Sequence, residues 1–84
     1  MSDIAKERED LAKVDLDIAE GERRVNEQIA LIERLAEHGH DVTEAKKLLQ
    51  NYETTLEAWR EHRHLIIEEI ERLEGRKPEA PSVS

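Results

Sequence analysis

Eighty-four residues, 40% charged and 37% hydrophobic, with a formal charge of −8 at pH 7, bound this chain to one small domain. Such a field repels phosphate backbones and anionic membranes at long range. The absence of cysteine removes disulfides, thiolate catalysis and cysteine-based zinc sites together.

Aromatics are limited to Tyr52 and Trp59. Few Gly and Pro beside abundant Glu, Leu, Ala, Arg and Lys is the mixture of long helices, not sheets. The basic pairs Arg23-Arg24 and Lys46-Lys47 are each flanked by Glu and read as solvated helix faces. No apolar run approaches the ~20 residues that span a bilayer. Residues 1–10 lack the apolar stretch of a signal peptide. The expectation is a cytoplasmic protein with neither nucleic acid nor membrane as a partner.

The first periodic segment starts near Ser2 or Asp3, either of which suits a helix cap. Ile4, Leu11, Ile18, Val25 and Ile32 recur every seven residues, interleaved with Glu7, Val14, Gly21, Gln28 and Leu35. This predicts a helix over about 3–38. Gly39-His40-Asp41 breaks the pattern, glycine being suited to the left-handed residue that ends a helix. Asp41 as N-cap with Glu44 three residues on reads as a capping-box variant.

A second stripe follows with Val42, Ala45, Leu49, Tyr52, Leu56, Trp59, Ile66, Ile70 and Leu73. It averages 3.5 residues per step, with Arg63 its only interruption. It predicts a helix over about 42–74 that ends at Gly75. With a turn confined to 39–41, residues 1–75 form an antiparallel helical hairpin, all-α and coiled-coil-like. Residues 76–84, with two prolines, read as a flexible tail.

In an antiparallel pair, facing residues have numbers with a constant sum. Here that sum is near 77 or near 84, and the pattern alone leaves both open. Under 77, Gly21 meets Leu56 and Val14 meets Arg63. Under 84, Val25 lies level with Trp59 and Gly21 with Arg63. In both registers Gly21 falls near the bulky Tyr52–Arg63 stretch, so it reads as space for Trp59, for Arg63 or for a close helix approach. Arg63 either snorkels along its stem, pairs with Glu20, Glu22 or Asp17, or reads the carboxylate of a partner.

Ile29, Leu31, Leu48 and Ile67 flank the seam and widen it, most strongly near the turn. Core-facing helices of a bundle use about three apolar positions in seven, a two-stranded seam two. The pattern therefore predicts a homodimer of hairpins forming a four-helix bundle. Ile29, Leu31, Leu48, Tyr52 and Trp59 are the candidate self-association residues. Leu16 and Leu65, roughly level with each other and off the seam, are candidate contacts for a different protein, together with Arg63.

Catalysis lacks its parts. Serines lie at the chain ends, threonines have no base beside them, and phosphate-cradling glycine loops are absent. No cofactor is implied. Glu61 and His64 have the Glu-x-x-His spacing of di-iron bundles, yet the repeat puts both on an outer face. His38, His40 and Asp41 cluster at the turn, three ligands where a closed zinc site needs four. The expected function is non-enzymatic helical self-association and protein interaction. The alternative is a histidine-based metal- or pH-responsive regulatory protein.

Glu20-Gly21-Glu22-Arg23, then Gln28, Ile32, Leu35, Gly39-His40-Asp41, Ala45, Leu48-Leu49, Leu56, Arg63 and Ile66 resemble a group of short bacterial proteins with no established activity. The resemblance covers most of residues 18–70. It implies a helical hairpin and transfers no functional residues.

Overall fold

A computed structural model describes residues 3–75. The expected tail at 76–84 and the alternative cap Ser2 lie outside the described residues. Two helices, α1 (Ile4–Glu37) and α2 (Thr43–Leu73), fold back on one another as a hairpin. Both boundaries follow from local chemistry. Asp3 holds extended backbone at φ −126° and ψ 162°, and its Oδ1 accepts the Lys6 N–H at 2.9 Å. An acidic side chain thereby satisfies one of the orphan donors of the first turn.

The end of α1 has the hydrogen bonds of a Schellman turn. The Gly39 N–H donates to the Ala36 carbonyl at 3.1 Å and the His40 N–H to the Leu35 carbonyl at 2.9 Å. Gly39 sits at φ +76°, where any Cβ would be strained. The start of α2 departs from the expected capping box. The N-cap position is Val42, without a side-chain bond to the helix. Asp41 lies one residue further out and accepts from the Thr43 N–H at 3.0 Å and from the Thr43 hydroxyl at 2.7 Å. This is an Asx-turn, which reaches two residues ahead where an N-cap reaches three. Those bonds, the backbone one first, hold the Asp41 carboxyl below its ordinary value.

Contact across the seam selects the register. A Cβ on Gly21 would stand 3.1 Å from Leu56 Cδ1, with Leu56 Cβ also within 4 Å. Gly21 therefore faces Leu56 and facing residues add to 77, not 84. Val14, Leu56, Ile66 and Ile70 are buried, and Ile4, Leu11 and Trp59 pack against the cluster of Val14, Ile66 and Ile70. That cluster lies in the half remote from the turn. Nearer the turn the seam holds a polar residue, Gln28, which is also buried. Its Nε2 donates to the Ala45 carbonyl at 2.9 Å, so a side chain of α1 is tied to the first turn of α2.

No helix among the described residues is long and apolar enough to cross a membrane.

Candidate functional site

A hairpin of two helices has two lateral flanks, one on each side of the seam. The seven-residue repeat assigns different residues to each. Positions 8, 15, 22 and 29 of α1 line one flank, facing 53, 60, 67 and 74 of α2. Positions 10, 17, 24 and 31 line the other, facing 48, 55, 62 and 69.

Three ion pairs cross between the helices on the first flank. Arg8 donates to Glu74, Arg63 Nε to Asp15 Oδ1 at 2.6 Å, and Arg60 to Glu22 Oε2 at 3.1 Å. Arg8–Glu74 and Glu22–Arg60 join positions that an antiparallel register brings together. Asp15 is the exception, because the corresponding flank position on α2 holds Ile67. Arg63 sits in the seam one turn away and extends outward to supply the missing cation, its side chain 42% exposed. Arg63 thus both snorkels and pairs. Its partner is Asp15, in place of the expected Glu20, Glu22 or Asp17. We call this the tied flank.

The second flank has no ion pair between helices among the described residues. Its ion pairs close within one helix: Lys6–Asp10, Glu20–Arg24 and Glu69–Arg72. The Arg23 guanidinium donates to Glu20 and holds its carboxyl below the ordinary glutamate value, with Arg24 adding to the effect. Arg72 does the same for Glu69. Charges satisfied along their own helix leave the seam uncovered, and shallow clefts open there. One is lined by Asp17, Glu20, Gly21, Arg24, Tyr52, Thr55 and Trp59. Another is lined by Asp10, Lys13, Val14, Asp17, Trp59 and His62. A third runs over the α2 side, along Thr54, Thr55, Ala58, Trp59 and His62. Trp59 borders all three. Its ring lies 6.2 Å from that of His62, tilted by 58°. We call this the open flank.

The structure divides the candidate self-association residues. Leu31, Leu48, Tyr52 and Trp59 all border the open flank. Leu48 is 41% exposed, and the other three are half-buried. Ile29, 39% exposed, lies instead on the tied flank, one repeat beyond Glu22. Leu16 and Leu65 are 72% and 58% exposed. Leu16 stands on the outer surface of α1, whereas Leu65 ends the row of open-flank positions on α2, so the two belong to different faces.

The histidines are dispersed. The His38 ring bonds the Arg34 carbonyl through Nδ1 at 2.8 Å, at the helix end where partial positive charge is favoured. His64 reaches Glu68 at 3.0 Å, not Glu61. Among the described residues, no three His, Asp or Glu side chains gather as a metal-ligand group.

Sequence reasoning missed how the open flank is composed on α2. Positions 48, 51, 52, 55, 58, 59, 62 and 65 hold no Asp, Glu, Lys or Arg, in a chain that is 40% charged. The signal was present in the repeat, in Thr55, Ala58 and His62 as much as in the large apolar residues. The fold defines the class: a two-helix hairpin with one flank tied by charge and one left open. No family model matches the chain, and neither a curated protein nor a solved structure matches it.

Proposed function

We propose that this chain is a non-enzymatic self-association module of the cytoplasm. Two hairpins join into a four-helix bundle, and the acidic outer surface faces other proteins. The observation that supports this is the open flank. Leu48 is 41% exposed and Trp59, Tyr52 and Leu31 are half-buried, along a seam that no interhelical ion pair guards among the described residues. Full burial of such a side chain contributes about 1.5–3 kcal/mol. Covering the exposed part of several adds a sizeable increment to a fold whose total stability is about 5–15 kcal/mol. Leu16, outside both flanks, remains for a different protein partner, whereas Leu65 falls at the end of the open flank's uncharged stripe.

Sedimentation equilibrium of the full chain across a range of concentrations tests the proposal. The expected result is a species of twice the 9.8 kDa chain mass that dissociates on dilution. A single 9.8 kDa species at every concentration overturns it.

A further inference from the structure

Resting on that self-association reading, we infer the geometry of the pair: two hairpins stack open flank on open flank, with α2 antiparallel to the partner's α2 and α1 antiparallel to its α1. Their two-fold axis crosses at the level of Gly21 and Leu56.

The first support is size and polarity on α2. The uncharged stripe runs from Leu48 to Leu65, with small residues in its middle and a leucine at each end. Laid antiparallel on its own copy about a point between residues 56 and 57, it matches itself throughout. Leu48 meets Leu65 of the partner subunit and Thr55 meets Ala58 of the partner subunit. Trp59 then lies over Thr54 and Thr55 of the partner subunit, which leave room for an indole. A two-fold interface must be self-complementary in this way.

The second support comes from α1 and is independent. The seam register carries the axis to a point between residues 20 and 21. About that point Asp17 faces Arg24 of the partner subunit, and Lys13 stands one residue from the level of Glu27 of the partner subunit, which Arg23 also bonds in its own chain. Both are opposite charges, although the axis was placed from α2 alone. Asp17 and Lys13 make no ion pair among the described residues, and both line the open flank. Arg24 uses only its Nε on Glu20, which leaves its two terminal NH2 groups to donate.

The alternative stacking, α1 over the partner's α2, lays Asp17, Glu20 and Arg24 against the uncharged stripe. It buries Asp17 with no cation to answer it and presses the Glu20–Arg24 pair onto uncharged side chains, which is unfavourable.

Charge exchange tests the geometry. Asp17→Arg sets like charges against Arg24 of the partner subunit, and Arg24→Asp sets them against its Asp17. Each alone weakens dimerisation roughly tenfold or more, as expected of like charges across an interface. The Asp17→Arg/Arg24→Asp double variant returns the dissociation constant to near the wild-type value. Circular dichroism confirms that every variant remains helical. Because the chain lacks cysteine, disulfide trapping gives a second readout free of background. A mixture of Leu48→Cys and Leu65→Cys chains forms the mixed disulfide, whereas Leu48→Cys alone forms none. A dimer in which the double variant is no tighter than the singles, or in which the 48–65 disulfide does not form, overturns this geometry and leaves self-association standing. A wild-type chain that stays monomeric overturns both.

Discussion

The tied and open flanks are written in the same seven-residue repeat, and they resolve the same problem in opposite ways. On the tied flank, Arg8, Asp15 and Glu22 of α1 meet Glu74, Arg63 and Arg60 of α2. Charge there bridges the helices and fixes the hairpin to itself. On the open flank, Glu20 and Arg24 pair along α1, Glu69 and Arg72 pair along α2, and the seam between them stays accessible. Exposed ion pairs contribute only about 0–1 kcal/mol each, so the difference is not mainly one of stability. The lesson concerns specificity. A face whose charges span the two helices is finished, whereas one whose charges stay within each helix can accept another surface.

The largest expected effect lies at Gly21, where the seam borders the open flank. Overpacking a seam costs about 1–3 kcal/mol, against a gain of about 1 kcal/mol from replacing a helical glycine. With Leu56 already 3.1 Å from the position of a Cβ, Gly21→Leu lowers the melting temperature read by circular dichroism. A higher melting temperature would mean that the cleft beside Gly21 absorbs the side chain and that close helix approach is not its role.

Arg63 offers a smaller and sharper probe of the tied flank. Arg63→Leu removes the pair with Asp15, worth at most about 1 kcal/mol at this exposure, and completes the apolar seam. Thermal stability holds or rises. If Arg63 fixes alignment more than it stabilises, sedimentation then shows a mixture of assemblies in place of one. A single unchanged species argues against that role.

The smallest effect is that of acid. Glu20 and Glu69 have carboxyl values lowered by their arginines. Their contribution is therefore complete above the ordinary glutamate value of 4.5 and is lost as pH falls through the lowered folded values. Thermal melts are expected to hold from neutral pH to about that point and to decline below it. A decline that begins near neutrality would assign the pH response to the histidines instead.

Much of the hairpin was legible because its signals are local. Asp3 marks a helix start through its side-chain cap, and Gly39 and Gly75 mark helix ends through their backbone, so the helices at about 3–38 and 42–74 correspond to Ile4–Glu37 and Thr43–Leu73. The register was not legible, since it depends on one contact between residues 35 apart in sequence, Gly21 and Leu56. What hangs on it was hidden too. Asp15 as the partner of Arg63 follows only once Ile67 is known to hold the flank position corresponding to Asp15. The bond from Gln28 to the Ala45 carbonyl likewise needs the two helices aligned. Ile29 and Leu31 look equivalent as flanking apolar residues, and only the placement of the ion pairs shows that they belong to different sides.

Thiol labelling of two single-cysteine variants, Thr55→Cys on the open flank and Glu53→Cys on the tied flank, tests the contrast most directly. Raising the protein concentration should slow labelling at position 55 and leave position 53 unchanged, because copies meet only where the helices are not bound by charge. Equal rates at all concentrations, or slowing at both positions together, would contradict the division of this hairpin into a finished side and a receptive one.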